Sequence, residues 1–137
     1  MSLYLCIYAG DREADGVEVG PYADFNALRD TIARELGSPR GEASFPTLLT
    51  HSDCDGEWSP EACVRLRQEL AAITAALKNR PPIGFPSEWQ KEVARSAGLE
   101  PRNAFECFID VDGEFLLDRL QHLVDTALRL QLPILFQ

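Results

Sequence analysis

Ionisable side chains with the potential to bind a ligand concentrate in one short segment of the chain. They occupy alternate positions as His51, Asp53, Asp55 and Glu57, with no Lys or Arg among them. Carboxylate and imidazole groups in this arrangement suit either a metal ion or a positively charged protein surface. Trp58 follows directly, and an aromatic side chain beside carboxylates suits a docking contact, although packing in the core is its more ordinary role.

The acidic pattern occurs twice in the chain. The motif Asp-x-Asp-Gly-Glu-aromatic begins at Asp53 and again at Asp110, and the second copy adds the acids Asp112 and Glu114. We call residues 51–57 the first acidic turn and residues 110–114 the second acidic turn. Acids near a helix N-terminus are favoured by about 0.3–1 kcal/mol each, which explains the pattern without any function. We also predict that the two turns lie side by side, because both leave buried strands and enter helices of the same layer.

Metal binding has little support from the spacing of these residues. A calcium-binding EF-hand beginning at Asp53 would need Gly at its sixth position and Glu at its twelfth, where the chain has Trp58 and Val64. His51, Cys54, Cys63 and the distant Cys107 are the right residue types for zinc, but their spacing matches no common zinc module. We therefore predict a protein that folds without zinc, calcium or another cofactor. The alternative function is a metal-dependent enzyme or metal-binding protein that uses both acidic turns.

Catalysis has no better support from the other motifs. His51 and Ser52 are neighbours in sequence, and on extended backbone such side chains point to opposite faces, so they do not form a nucleophile–base pair. His122 lies on the polar face of the last predicted helix, where a solvated side chain is the ordinary case. The chain lacks a Gly-rich phosphate loop and a Gly-x-Ser-x-Gly motif. We therefore expect a protein that is not an enzyme.

The overall charge favours a protein partner. The 137 residues carry a formal net charge of −9, and the pI is near 4.6. Nucleic acid requires a basic surface, so we expect no nucleic-acid partner, whereas a basic protein fits. No apolar run approaches the ~20 residues of a membrane span, and no signal peptide precedes the first strand. With four scattered cysteines that suit reduced thiols, we expect a cytoplasmic protein without a membrane partner, and its oligomeric state is left open.

Apolar periodicity predicts an α+β fold in a single domain of residues 1–137, with a small β-sheet packed by amphipathic helices. Apolar runs at 3–8, 45–50 and 133–136 predict strands that share one sheet. Predicted helices span residues 24–36, 60–78, 87–97 and 112–131. The remaining segments are a hairpin partner at 16–20, a surface linker at 38–44 and, at 104–110, either a strand, which we favour, or an irregular buried segment.

The first acidic turn is predicted to connect a buried strand at 45–50 with the helix at 60–78. Asp55-Gly56 supplies the turn, because Gly tolerates a positive φ. Ser59 and Pro60 then start the helix as its N-cap and first helical residue. A strand, a polar turn and a helix in this order would hold the acidic side chains on a rigid scaffold.

Several segments resemble a known protein family. They are the block Phe45-Pro-x-Leu-Leu-x-His-Ser-Asp-Cys-Asp-Gly-Glu-Trp-Ser59, the turn Val111-Asp-Gly-Glu114, the segment 19–29 and the end Leu132-Pro-Ile-Leu-Phe-Gln137. Together they resemble immunity protein 70, a family of bacterial polymorphic-toxin immunity proteins, over most of the chain. The resemblance implies a cytoplasmic protein that binds and neutralises a cognate toxin from a neighbouring gene. It carries over no catalytic residues.

The residues and the resemblance together predict a non-enzymatic inhibitor that contacts a basic toxin through the first acidic turn. If the toxin is a nuclease, its active site must be basic, so the turn would mimic nucleic acid and speed association. A further interpretation is a housekeeping interaction domain whose acidic turns only start helices. The predicted binding residues are His51, Asp53, Asp55, Glu57, Trp58, Asp110, Asp112 and Glu114.

Overall fold

The computed structural model of the protein describes residues 2–37 and 45–137, and the predicted linker at 38–44 lies outside them. The strands and helices in chain order are β1 (Ser2–Ala9), β2 (Arg12–Pro21), α1 (Tyr22–Leu36), α2 (Pro46–Leu49), β3 (Glu57–Trp58), α3 (Pro60–Lys78), α4 (Glu88–Ala97), a short 3₁₀-helix (Phe105–Cys107), α5 (Leu116–Leu130) and β4 (Ile134–Phe136). The fold class is α+β, as predicted.

The four strands form one antiparallel sheet in the order β2-β1-β4-β3. β1 and β2 form a hairpin, which confirms residues 16–20 as part of the partner of the first strand. β4 lies on the other side of β1, with Leu135 opposite Cys6. The runs predicted at 3–8 and 133–136 are therefore neighbours in the sheet, as expected.

The run at 45–50 is not a strand, and this prediction is wrong. Its residues form α2, a single helical turn with Pro46 at its start. The carboxylate of Glu69, from the middle of α3, accepts hydrogen bonds from the backbone N–H groups of Thr47 and Leu48 at 3.1 and 3.0 Å. These N–H groups have no partner within the helix, so Glu69 satisfies them and stabilises the helical turn. The sheet edge is instead the two-residue strand β3.

Helices cover one face of the sheet. Residues opposite each other in register point to the same face, and Leu5, Val17 and Phe136 form such a row across three strands. All three are buried, and Phe25 of α1 contacts the Phe136 ring edge-on at a centroid distance of 6.3 Å. Because each fully buried large apolar side chain contributes about 1.5–3 kcal/mol, this layer holds the sheet and helices together.

The predicted helices are confirmed as α1, α3, α4 and α5, with one shifted boundary. α3 has the predicted span, and the Ser59 hydroxyl accepts a hydrogen bond from the Ala62 N–H at 3.1 Å as its N-cap. α5 begins at Leu116 rather than at residue 112, because the preceding residues close a separate turn through a bridge between Ile109 and Phe115. None of the helices in the described ranges has the length and apolar composition needed to cross a membrane.

The segment 104–110 is the irregular buried alternative rather than the favoured strand. Every residue in it is buried. It consists of the 3₁₀-helix followed by a single bridge residue, Ile109, outside the four-stranded sheet. An apolar run indicates that a segment is buried but not that it pairs with another strand. The composition of this segment was therefore compatible with a strand and with an irregular buried segment.

The cysteines are free thiols, and two of them, Cys63 and Cys107, belong to the core cluster that the helices share with the sheet. Cys6, Cys63 and Cys107 are buried, whereas Cys54 is exposed in the first acidic turn. Burial raises the pKa of the Cys63 thiol to about 11. Cys63 is therefore a protonated residue of the core, and packing accounts for it.

Candidate functional site

The first acidic turn lies at the β3 edge of the sheet, between α2 and α3. It enters the sheet at Gly56, whose carbonyl oxygen accepts a hydrogen bond from the N–H of Phe136 at 3.0 Å. Gly56 has a φ of +86°, a conformation that residues with a Cβ rarely adopt. The predicted Asp55-Gly56 turn is therefore confirmed, although a helix rather than a strand leads into it.

His51 holds the two ends of the first acidic turn together. Its ring nitrogens each lie 2.9 Å from a backbone carbonyl oxygen, Nδ1 from that of Ser52 and Nε2 from that of Glu57. The ring stacks on Phe136 with a centroid distance of 4.1 Å and an interplanar angle of 21°. The half-buried imidazole is thus an internal contact of the turn, and its effect is to position the neighbouring acids.

Helix α1 fixes the turn from the side. Asn26 donates from Nδ2 to the carboxylate of Asp53 at 2.8 Å, and Arg29 donates from Nη1 to the carbonyl oxygen of His51 at 2.5 Å. The hydrogen bond from Asn26, helped by the positive charge of Arg29, lowers the pKa of Asp53 below its ordinary value. Asp53 is therefore an ionised carboxylate held by α1, with part of its charge offset by Arg29.

Asp55 and Glu57 carry the exposed negative charge of the turn. Both residues are exposed to solvent. Within the described ranges, neither forms a salt bridge. Two exposed carboxylates this close in sequence, without a salt-bridge partner among the described residues, create a local negative potential that attracts a basic surface.

Trp58 is a core residue and not an exposed anchor. Only 2% of it is exposed, and its indole N–H donates to the carbonyl oxygen of Thr47 at 3.1 Å. The ring contacts Phe136 edge-on at a centroid distance of 4.6 Å. Packing in the core therefore accounts for this side chain. The small part of it that is exposed lines a groove beside the first acidic turn.

That groove has a volume of about 400 Å³ and opens between α2, the first acidic turn and the start of α3. Its polar lining includes His51, Glu57, Ser59 and Arg65, and Trp58 contributes apolar surface. The volume is at the small end of the range for ligand pockets. A side chain that projects from a docked protein would fit there beside the exposed acids.

Asp110 closes the second acidic turn from inside. It is only 2% exposed, and its Oδ1 accepts hydrogen bonds from the N–H groups of Asp112 and Glu114 at 2.9 and 3.0 Å. Burial raises the pKa of Asp110 above its ordinary value despite these bonds. Asp110 is therefore a structural residue of its turn, whereas Asp112 and Glu114 are exposed.

The two acidic turns lie at opposite edges of the sheet, so the prediction that they lie side by side is wrong. The second turn attaches to β2 through a hydrogen bond from the Val111 N–H to the Glu18 carbonyl oxygen at 3.2 Å, whereas the first turn continues into β3. From Gly56 to Val111 the sheet presents four interstrand spacings of about 4.8 Å, or about 19 Å. The repeated motif therefore builds two separate turns, and the site residues His51, Asp53, Asp55 and Glu57 are not joined by those of the second turn.

The comparison with known families covers both turns and nearly the whole fold. A model of the immunity protein 70 family matches residues 3–136. The chain belongs to the immunity protein 70 family. Membership supports an immunity role, and the family implies a cognate toxin as the partner. No curated protein and no solved structure matches the chain significantly.

For this member of the immunity protein 70 family, the separation of the turns removes the basis of the alternative metal site. Among the residues that the structure describes, no group of three or more His, Cys, Asp or Glu side chains is placed to hold a metal ion. The exposed acids of the two turns belong to opposite edges of the sheet. The reading as a metal-dependent enzyme or metal-binding protein that uses both turns is therefore not supported.

Three residues of this immunity protein that hold the first acidic turn, or the helix α2 that leads into it, were not predicted as part of the site. They are Asn26, Arg29 and Glu69. Each bonds to a residue at least 21 positions away in the chain, and no local pattern marks a contact of that kind. The sequence offered one indication for Asn26 and Arg29, because both lie in the segment 19–29, one of the segments that resemble the family.

Proposed function

We propose that this member of the immunity protein 70 family neutralises its cognate toxin by binding it, without catalysis, through the first acidic turn. The observation that carries the proposal is the pair of exposed carboxylates of Asp55 and Glu57 on a turn that His51 and Arg29 hold in one conformation. A basic toxin surface is the partner that this arrangement fits.

The rigidity of the turn supports tight binding. Ordering a flexible loop on association costs free energy that is lost from the affinity. Here the ordering contacts exist before any partner arrives, because His51 bonds within the turn and α1 bonds to it from the side. The exposed carboxylates are therefore presented to the toxin without a further entropic cost for the backbone.

The charge of the chain supports fast association. A formal net charge of −9 attracts a basic protein over about one Debye length, roughly 8 Å at physiological ionic strength. The acids of the first acidic turn would then fix the orientation of the encounter, because complementary charges steer association as well as stabilise the complex. A nuclease toxin, whose active site must hold phosphates, has the basic surface that this mechanism needs.

Co-expression with the product of the neighbouring gene tests the proposal directly. In cells that this product arrests, the native chain should restore growth, and the double variant Asp55→Lys/Glu57→Lys should restore it poorly. The variant should remain folded, since substitutions of exposed residues usually change the free energy of unfolding by no more than about 0.5 kcal/mol. Circular dichroism and thermal melting of the purified variant check this point.

The matched control reverses two other exposed acids. Asp118 and Asp125 lie two helical turns apart on the exposed side of α5, and Asp118→Lys/Asp125→Lys makes the same change in net charge. Asp125 forms a salt bridge with Arg67, but both side chains are exposed, so the loss of this pair should cost less than about 1 kcal/mol. This control should protect cells as well as the native chain does. Full protection by Asp55→Lys/Glu57→Lys would exclude the first acidic turn as the binding site. If the product of the neighbouring gene does not arrest growth, the proposal that this chain is an inhibitor of that product is wrong.

A further inference from the structure

The face of the sheet opposite the helices carries partly exposed aromatic and apolar side chains around a buried cysteine, Cys6. We define the open face by the side chains that project on this side of the central strands, which are Tyr4, Cys6, Tyr8 and Leu135. Cys6 lies opposite Leu135 in register, so their side chains share a face, and the alternation along β1 places both tyrosines on it. Tyr8 is 38% exposed, and Tyr4 and Leu135 are half-buried. Among the described residues, none of these four belongs to the core cluster that the helices form with the other face of the sheet.

Tyr4 is held flat on the open face. Its hydroxyl donates a hydrogen bond to the carboxylate of Glu13 on β2. The ring passes over Gly16, where any Cβ would collide with it. The hydrogen bond to Glu13 raises the pKa of Tyr4 well above its ordinary value, so the hydroxyl stays protonated. The aromatic surface is thus pre-formed and loses little side-chain entropy when it is covered.

Acids border the open face at both edges of the sheet. On β2, Glu18 lies opposite Tyr4 and Glu13 opposite Tyr8. On β3, Glu57 lies opposite Leu135. All three glutamates are exposed, and Glu57 also belongs to the first acidic turn. The open face is therefore continuous with the proposed toxin-binding turn and has the same charge.

We propose that the open face is the second part of the toxin interface, covered by a basic surface of the toxin that has an apolar centre between its Lys or Arg residues. This inference rests on the proposed function, since it extends the contact of the same partner from Glu57 across the sheet to Glu13 and Glu18. An exposed apolar patch with a charged border is the ordinary anatomy of a protein interface. Charge complementarity selects a basic toxin over a second copy of this chain, because two copies would bring the glutamates of one face against those of the other.

The substitution Tyr8→Arg tests the open face by placing a positive charge on its most exposed aromatic residue. We expect the dissociation constant for the purified product of the neighbouring gene, measured by titration calorimetry, to rise at least tenfold. Val64→Arg is the matched control, because Val64 is an exposed apolar residue, 52% exposed, on α3 in the helical layer. It should leave the dissociation constant within about twofold.

A second variant keeps the test valid if Tyr8→Arg fails to fold. Glu18→Lys changes an exposed side chain on the border of the open face, and Asp118→Lys on α5 is its control. Glu18→Lys should weaken binding at least fivefold, with a thermal melt close to that of the native chain.

Other outcomes separate this inference from the proposed function. If the native chain binds and Asp55→Lys/Glu57→Lys weakens binding, but Tyr8→Arg and Glu18→Lys both bind as the native chain does, the open face is not part of the interface. A free chain that sediments as a dimer and becomes monomeric with Tyr8→Arg would show instead that a second copy covers this face, which also overturns the inference. If the native chain does not bind the neighbouring product at all, the proposed function fails, and this inference fails with it.

Discussion

Arg29 of α1 donates a hydrogen bond from Nη1 to the backbone carbonyl oxygen of His51 at a distance of 2.5 Å. The two residues are 22 positions apart in the sequence. The same guanidinium group lies over the ring of Phe25, 5.0 Å from its centroid. One side chain therefore connects the core face of α1 to the first acidic turn. The backbone of the turn is therefore held by contacts to α1 and within the turn that need no partner.

Replacing Arg29 by Ala should destabilise the protein and loosen the first acidic turn. The His51 carbonyl oxygen would lose a charged donor, and leaving a partly buried polar group without its partner costs about 1–3 kcal/mol. Urea unfolding measures this loss. Arg34→Ala on the same helix is the matched control, because Arg34 is exposed and bonds to its neighbour Glu35, so its loss should stay within about 0.5 kcal/mol. Equal losses in the two variants would contradict the role assigned to Arg29.

Replacing Glu69 by Ala should unwind α2. The N–H groups of Thr47 and Leu48 would lose their acceptor, at a cost of about 1–3 kcal/mol in the free energy of unfolding. Their amide hydrogens should then exchange with solvent faster than in the native protein, which NMR can follow for each residue. Glu69→Gln retains one carbonyl oxygen and should lose less. If exchange at the two amides stays unchanged in Glu69→Ala, α2 does not depend on this contact.

Asp110 and Asp53 should make opposite contributions to the pH dependence of stability. Burial raises the pKa of Asp110 in the folded protein, so the folded state binds this proton more tightly than the unfolded chain does. The free energy of unfolding therefore falls as the pH rises from 3.8, the ordinary pKa of an aspartate, through the raised pKa of the folded state. The pKa of Asp53 is lowered, so its stabilising effect is present above 3.8 and is lost as the pH falls toward the lowered value.

Asparagine variants separate these two effects. Relative to the native protein, Asp110→Asn should become more stable as the pH rises from about 3 to about 6, whereas Asp53→Asn should become less stable over the same range. Urea unfolding at a series of pH values gives both curves. Two variants whose stabilities relative to the native protein change in the same direction would contradict the opposite pKa shifts.

Charge reversal at the first acidic turn should slow association with the toxin more than it speeds dissociation. Asp55→Lys/Glu57→Lys removes the attraction that steers the encounter, so the association rate should fall about tenfold or more at low salt. The difference from the native chain should shrink in about 1 M salt, where the Debye length is about 3 Å. Surface plasmon resonance with the product of the neighbouring gene measures both rates. A loss that is independent of salt would indicate disrupted packing instead of lost steering.

Removing divalent metal ions should leave the stability of the purified protein unchanged. The residues that the structure describes supply no cluster of three or more His, Cys, Asp or Glu side chains for a metal ion, and the apolar core is shared by the sheet and the helices. The melting temperature in EDTA should therefore equal that in buffer with added zinc or calcium. A large decrease in EDTA, or stoichiometric metal in elemental analysis, would contradict this prediction.

Local sequence patterns determined the elements whose signals are complete within a few residues. Ser59 and Pro60 mark the start of α3, and the apolar stripe that follows marks its length, so its span was predictable. The apolar run of β1 and the Asp55-Gly56 turn are equally local. The family could also be predicted from the sequence, because a resemblance depends on which residues are present and not on their positions in space.

Tertiary structure alone decided how these elements meet. The run at 45–50 has the composition of a strand, but Glu69 from α3 stabilises it as a helix through bonds that no local pattern encodes. The two acidic turns share a motif, yet the strand order places them at opposite edges of the sheet. Strand order and hydrogen bonds between distant residues depend on the free energy of the whole packed chain, whereas turns and helix starts depend on a few neighbouring residues. The sequence therefore identifies the acids of the site, and the fold determines which of them lie together.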